Sequence, residues 1–280
     1  MAFVAAAICP HPPLLVPAAM GAAGWPETEP PEQAAQSKQI RQLRPSALAD
    51  TQFRRLRAAC YAAVRELDSA APDLIAVVGS GPVTRSYPGT AAGTLRGLGI
   101  PFTTGDGEPV LPLSLTIGSW LIRRCLHGDG AGPSSAPAPA KPLGQAWQLD
   151  LRAVAGTAPP QACLDLGREL AVSAPRVALL VVGDGTARKA LGATGAADPA
   201  ADRFDASVAD ALATADVRAL ASLDPQAAAE LLVSGRVGWQ VLAGAAGGVG
   251  AMGAVVRAQL RFAAEPIAIS YFVASWTASR

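Results

Sequence analysis

A histidine held between prolines follows the first apolar segment of the chain. The segment Cys9–Pro13 (CPHPP) continues directly from Phe3–Cys9, whose apolar run predicts a strand. Because proline fixes φ and lacks a backbone N–H, its neighbours leave His11 little backbone freedom. Ligands of open α/β sheets bind outside the carboxyl ends of the strands, so this placement suits a metal ligand or an acid/base. The competing interpretation is a half-buried histidine bonded to a backbone carbonyl, and the sequence leaves both open.

The number of histidines limits the chemistry available to the chain. There are two, His11 and His127, so no site can take three imidazoles from one chain. His127 ends the predicted helix Thr116–His127, just before Gly128, where the helix dipole favours a positive charge. We therefore expect His127 to be solvated or to cap that helix, and His11 is the tentative metal ligand.

Two glycine-flanked turns follow other predicted strands. Gly79–Gly81 (GSG) follows the apolar segment Leu74–Val78, and Gly183–Gly185 (GDG) follows Arg176–Val182. The first turn lacks the GxSxG spacing of a serine nucleophile. The second could hold a phosphate on its N–H groups, but it lacks both the GxGxxG spacing and the lysine of phosphate-binding loops. Neither turn identifies an activity by itself.

The elements that position these turns alternate along the chain. Strand-like apolar runs are separated by amphipathic segments, a pattern typical of βα units around a parallel or mixed sheet. We predict one α/β domain over residues 1–280, with a central mixed, largely parallel sheet flanked by helices. Residues 21–48 and 128–145 are predicted to be loop insertions because their composition is of low complexity or polar and rich in proline. Helices are predicted over Asp50–Ala70, Thr116–His127, Gln161–Val172, Asp202–Ala215 and Asp224–Val233, with aspartates as the expected N-caps of the first and the last two, and a final strand over Pro266–Trp276.

The composition excludes several classes of protein. Hydrophobic residues make up 50% of the chain and charged residues 16%, with a net charge of +1. Such a chain can bury enough apolar surface to fold, and it has no basic footprint for nucleic acid. Four scattered cysteines do not make a disulfide framework. The uncharged segment Val237–Val256 is rich in glycine, so we expect a buried helix and turn there rather than a membrane span. These features predict a cytoplasmic protein that binds neither nucleic acid nor membranes.

Segments covering most of the chain resemble the LigB-like superfamily, in the order expected there. The first strand followed by residues 10–17 (PHPPLLVP) resembles the opening of the family. Leu74–Arg85 resembles its second strand and ligand loop, and Leu179–Leu212 its GDLSH turn and FD-containing helix. Ser222–Trp239 resembles a helix that ends in a Cys-Gly or similar pair in Memo-like members. The superfamily includes the catalytic subunits of class III extradiol ring-cleavage dioxygenases, so the resemblance implies a LigB-like fold and a possible homodimer.

The resemblance also implies a metal site that this chain does not complete. The family's iron is held by two histidines and a carboxylate, with open positions for catechol and dioxygen. His11 matches the first ligand, but the second histidine would fall within Ser80–Pro82 and the acid/base histidine at Ala187. Ser234 stands where Memo-like members have cysteine. The resemblance therefore implies a degenerate member without dioxygenase activity or a cofactor.

Two other hypotheses remain beside this one. In the favoured hypothesis, the cleft at the strand ends takes a small ligand or has a regulatory role, and it is lined by His11, Ser80, Asp184 and Ser234. In the alternative, an active enzyme holds Fe(II) or zinc through an altered ligand set anchored on His11, with Cys9 or Asp184 beside it, and acts as a ring-cleavage dioxygenase or a hydrolase. A purely structural or regulatory partner protein is the third.

Overall fold

Seven strands form one mixed sheet with helices packed on both of its faces in the computed structural model, which describes residues 3–20, 47–127, 147–187, 198–249 and 255–279. This is the predicted α/β architecture. Across the sheet the strands are β3 (Arg85–Pro88), β7 (Gln148–Ala155), β2 (Leu74–Gly81), β8 (Val177–Val182), β1 (Phe3–Cys9), β10 (Tyr271–Ser279) and β9 (Val255–Ala264). A small second sheet contains β4 (Ala91–Thr94), β5 (Thr103–Thr104) and β6 (Asp106–Pro109).

The four strands β7, β2, β8 and β1 run parallel to one another in the middle of the sheet. Their register pairs Cys9 with Val182, Gly79 with the same valine, and Gly81 with Ala155. The outer strands β3, β10 and β9 pair antiparallel with their neighbours. The loops that follow β1, β2 and β8 therefore leave the sheet at one edge, which we call the carboxyl edge.

The helices fill the connections between the strands. A short 3-10 turn, Pro13–Leu15, precedes the first helix, another covers Arg96–Leu98, and a π-helical turn, Arg123–His127, follows α3. The α-helices are α1 (Pro17–Met20), α2 (Ala47–Ser69), α3 (Leu113–Ile122), α4 (Pro160–Ala171), α5 (Pro199–Thr214), α6 (Val217–Ala221), α7 (Pro225–Glu230) and α8 (Arg236–Ala246).

The central strands are buried on both faces, which explains their continuous apolar runs. In β8, Ala178, Leu180 and Val182 pack on the side of α2 and α3, whereas the alternate residues pack on the side of α4, α5 and α8. Each face has an aromatic pair at its centre, Phe53 with Tyr271 on the first and Trp239 with Phe272 on the second. Two apolar layers thus hold the carboxyl edge in place.

Helix boundaries confirm some of the predicted caps and correct others. Asp224 caps α7 by accepting from the backbone N–H of Gln226 at 3.0 Å, with Pro225 at the first position, as predicted. Asp50 is not an N-cap, because α2 begins earlier, at Ala47, and Asp50 lies in its first turn. α5 also begins before its predicted start: its cap is Asp198, and the predicted cap Asp202 lies in the first turn. A proline that follows an aspartate can start a helix ahead of its apolar stripe.

Other boundaries differ from the predictions. The predicted helix over Thr116–His127 begins at Leu113, and its α-helical part ends at Ile122. The predicted final strand begins at Tyr271 rather than Pro266. The predicted insertion 21–48 lies outside the described residues except for its last two residues, which belong to α2, and the insertion 128–145 lies wholly outside them.

The predicted buried segment and the cysteines behave as expected. Every residue of α8, which covers the first part of Val237–Val256, is buried, whereas Gly247 and Gly248 after it are exposed. Strand β9 begins at the far end of that segment. No helix within the described part of the chain combines the length and apolar character needed to cross a membrane. All four cysteines are buried and free.

Candidate functional site

His11 and Asp184 meet at the carboxyl edge of the sheet. The backbone N–H of His11 donates to Oδ1 of Asp184 at 2.8 Å, and ring Nδ1 of His11 lies 3.3 Å from the same oxygen. The ring contact does not meet hydrogen-bond geometry, and Nδ1 is buried without another partner among the described residues. The parallel arrangement of β1 and β8 brings the two residues together although 173 positions separate them.

The backbone around Asp184 fixes its position. The N–H of Gly183 donates to the carbonyl of Cys9 at 3.0 Å, which continues the β1–β8 ladder beyond the strands. The N–H of Asp184 donates to Oγ of Ser234 at 3.0 Å, and the N–H of Gly235 donates back to the Asp184 carbonyl at 2.9 Å. The loop after β8 is therefore bonded both to β1 and to the segment that starts α8.

Burial and the carboxylate act on His11 in opposite directions. Burial lowers the pKa of His11, whereas the charge and close contact of Asp184 raise it, and the net result is a raised pKa. The residue is 8% exposed, so solvent screens this contact less than it would on the surface. The imidazole is thus biased toward its protonated form by a single carboxylate.

A buried carboxylate behind this pair holds the same loop, and the sequence analysis assigned it no role. Asp205 of α5 accepts from the backbone N–H of Thr186 at 3.1 Å and from the Thr186 hydroxyl at 2.5 Å. The Ser270 hydroxyl donates to the same carboxylate at 2.5 Å, and the Ser270 N–H donates to the Thr186 carbonyl at 3.0 Å. The Phe-Asp pair at 204–205 was the only signal for this contact in the sequence.

The loop that carries His11 is held from the other face of the sheet. Arg57 of α2 donates through Nε to the carbonyl of Leu15 at 2.7 Å and through Nη2 to the carbonyl of Leu14 at 3.1 Å. Leu15 itself is fully buried in the core. The proline-rich loop is therefore tied to α2 on one side and to Asp184 on the other.

A cavity of about 490 Å³ opens at this edge. Three of the predicted cleft residues, His11, Ser80 and Ser234, line it, whereas Asp184 does not and lies behind His11. The rest of the wall comes from the loop after β2, the start of α3, and the segment from α7 to the start of α8. A second cavity of about 380 Å³, between the end of α2 and strands β9 and β10, contains none of the predicted residues.

The turn around Ser80 serves the packing of α3 on β2. The Ser114 hydroxyl donates to the Ser80 carbonyl at 2.6 Å. A Cβ atom at Gly79 would lie 2.6 Å from the side chain of Ser114, too close for any other residue type. The glycine before Ser80 is thereby explained without a nucleophilic role.

Arg236 is the main residue of the cavity wall that the sequence analysis missed. It is 2% exposed. Nη1 donates to Oε1 of Gln240 at 2.8 Å, and Nη2 donates to the carbonyls of Gly156 at 2.7 Å and Ala158 at 2.9 Å. Burial lowers the pKa of Arg236, opposed by the charges of Cys163 and Asp224. Its position at the head of a long uncharged segment was the available signal.

The residues present do not fit a three-ligand iron or zinc site. Within the described ranges, no group of three or more histidine, cysteine, aspartate or glutamate side chains is placed to share an ion. Cys9, the thiolate considered beside His11, belongs to the buried core on the α2 side. Ala187 and the segment Ser80–Pro82 offer no imidazole, and His127 ends the π-helical turn after α3. His11 and Asp184 form a pair without a third ligand there.

Comparison with known proteins identifies a distant structural similarity. No family model matches the sequence, and no curated protein matches it. The chain is similar to the crystal structure of an uncharacterised protein from Escherichia coli, with 13% sequence identity and a TM-score of 0.43. The similarity covers 97% of this chain and 99% of the other.

Proposed function

We propose that the protein binds a small polar molecule in the cavity at the carboxyl edge and does not cleave catechol rings. The observation that carries this proposal is the buried His11, which lines the cavity while Asp184 stands behind its ring. The volume falls within the usual range of small-molecule sites, about 300–1,000 Å³. The site also lies where ligands of open α/β sheets bind.

The His11–Asp184 pair gives the cavity one oriented polar group. Because Nδ1 faces the carboxylate, Nε2 is the ring nitrogen left for a ligand, and the partner of one nitrogen sets the role of the other. A protonated imidazole donates a hydrogen bond through Nε2, and a neutral one with its proton on Nδ1 accepts there. The pair can therefore orient a ligand or transfer a proton at one atom.

The donor set supports ligand binding over metal chemistry. Iron in a ring-cleavage site needs three protein ligands with open positions for catechol and dioxygen. In this chain Oδ1 of Asp184 already accepts from the His11 backbone, and the described residues supply no third ligand. The alternative, a metalloenzyme anchored on His11, remains an outcome of the experiment below.

The two histidines make the site directly observable. NMR spectra of protein labelled with ¹⁵N at histidine contain two imidazoles, and His127→Gln leaves only that of His11. We expect members of a library of small polar compounds to shift the His11 signals saturably, and those of His127 much less. Saturable binding of Fe(II) or Zn²⁺ that is lost in His11→Ala would instead support the metalloenzyme. If no compound or metal moves the His11 signals, the cavity has no ligand-binding role.

A further inference from the structure

The wall of the cavity contains a buried positive charge without an acidic partner. The guanidinium of Arg236 is bonded to neutral acceptors only, namely two carbonyls and the Gln240 amide. No carboxylate of the described residues forms an ion pair with it. A buried charge is costly unless it is paired. The neutral acceptors hold the group in place without an ion pair, and Asp224 acts on it only from beyond ion-pair distance.

Two helices also begin at this cavity without a side-chain cap. Residues at the start of α3, including Leu113 and Ser114, and at the start of α8, Arg236 and Val237, belong to its wall. Neither helix has a side chain bonded to its first-turn N–H groups. Aspartates cap α5, α6 and α7, whose N-termini do not line the cavity, whereas α4 also lacks a side-chain cap away from the cavity. Free N–H groups at a helix start favour a negative ligand.

His11 provides the second observation that points to a ligand. It is 8% exposed and lines the same cavity. Its Nδ1 has no hydrogen-bond partner among the described residues and faces Asp184, so Nε2 is the ring nitrogen left for a ligand. Asp184 offsets the charge of a protonated His11. The charge of Arg236 then remains in excess, so the wall carries a net positive charge.

We propose that the ligand of this cavity is a small organic anion whose carboxylate or phosphate group is bound by Arg236 and the free N–H groups at the starts of α3 and α8. This inference rests on the proposed function and specifies its ligand class. A guanidinium and helix N–H groups both donate to oxyanions, and the bonds are stronger because the acceptor is charged. His11 then contacts the remainder of the molecule.

A purely structural role of Arg236 is the competing explanation. Its bonds to Gly156 and Ala158 tie the loop after β7 to α8, and this would require no ligand. The two explanations differ in whether a negative charge elsewhere in the cavity wall weakens binding of an anion. A negative side chain at the exposed Leu232, which lines the cavity, opposes anion binding without touching those bonds.

The test compares a matched pair of probes, benzoate and benzamide, which share their shape and differ in charge, together with inorganic phosphate at constant ionic strength. Binding is measured by the His11 signals of the whole protein. We expect benzoate or phosphate to bind at least about tenfold more tightly than benzamide. Leu232→Glu should weaken that binding about tenfold, the order of magnitude expected for one like charge in a partly screened site. Val172→Glu is the control, since Val172 is 78% exposed and follows the end of α4.

The outcomes separate the ligand class from the function itself. Preference for phosphate over benzoate, or the reverse, identifies the anionic group. Equal binding of benzoate and benzamide, or equal effects of Leu232→Glu and Val172→Glu, overturns the anion proposal while leaving a small-molecule site. If the Arg236→Gln variant folds, it should bind benzoate and benzamide equally. If it does not fold, the comparison of Leu232→Glu with Val172→Glu tests the anion proposal by itself. If neither these probes nor the library of small polar compounds moves the His11 signals, both proposals are rejected.

Discussion

Asp184 holds His11 through two atoms of the histidine at once. Its Oδ1 atom accepts from the backbone N–H of His11 at 2.8 Å and lies 3.3 Å from Nδ1 of the ring. The backbone bond fixes the loop, and the nearby charge of the carboxylate raises the pKa of the imidazole. The pair is therefore a sensitive point for substitution and for pH.

The stability of the protein should depend on pH through His11. The pKa of His11 is raised in the folded protein, whereas the unfolded value is about 6.5. A group with a raised pKa binds its proton more tightly when folded, so its contribution is fully present below about pH 6.5 and is lost as the pH rises through the folded value. Urea unfolding at several pH values should show wild type losing stability relative to His11→Gln above about pH 6.5. Parallel pH curves for the two proteins would refute this.

Removal of the Asp184 charge should lower the pKa of His11 instead of raising it. Asp184→Asn keeps a carbonyl oxygen for the His11 backbone but removes the charge that raises the pKa of the ring. Burial then acts alone and lowers the pKa of His11. Titration of the His11 signals, with His127 as an internal reference, measures this directly. An unchanged midpoint would mean that Asp184 does not set the charge of the histidine.

Asp205 should be important for the site although it does not line the cavity. Asp205→Asn replaces an acceptor of three hydrogen bonds with an amide that can accept at only one of its two terminal atoms. We expect a loss of about 1–3 kcal/mol in the free energy of unfolding. Asp210→Asn is the matched control, because Asp210 lies exposed on the same helix. Equal effects of the two changes would show that Asp205 does not hold the loop.

The close approach of Gly183 and Gly235 gives another test of the carboxyl edge. A Cβ at Gly183 would lie 2.4 Å from Cα of Gly235, so Gly183→Ala must push the β8 loop away from the start of α8. Overpacking of this kind costs about 1–3 kcal/mol, and we expect the anion affinity to fall with it. Gly97→Ala meets no atom within 4 Å and should leave both quantities near wild type. Thermal unfolding measures the stability, and the His11 signals measure the anion affinity.

The sequence predicts the edge at which His11 and Asp184 meet because each follows a buried strand, and parallel neighbours end at one edge. It does not predict that Asp184 lies behind His11, since that depends on where the loop turns after Gly183. Strand β9 was not predicted, although Arg257, Gln259 and Arg261 alternate with apolar residues in the period of two that is typical of a half-buried strand.

Asp205 and Arg236 could not be predicted from the sequence for the same physical reason. Asp205 bonds to Thr186 and Ser270, 19 and 65 positions away, and Arg236 bonds to carbonyls about eighty positions earlier. Such contacts are made by packing of α5 and α8 on the sheet. Local sequence patterns do not indicate these contacts, whereas the buried central strands do follow from the apolar runs.

The protein should be insensitive to the removal of metal ions. Dialysis of the purified protein against EDTA should leave its melting temperature and its anion binding unchanged, because the described residues place one imidazole and one carboxylate at the site and no third ligand. A metal that bound only the folded state would stabilise it by mass action, so its removal would lower the melting temperature. His11→Ala serves as the control. A melting temperature that falls with EDTA in wild type, but not in His11→Ala, would show that the His11 site holds a metal and that the cavity was assigned to the wrong class of ligand.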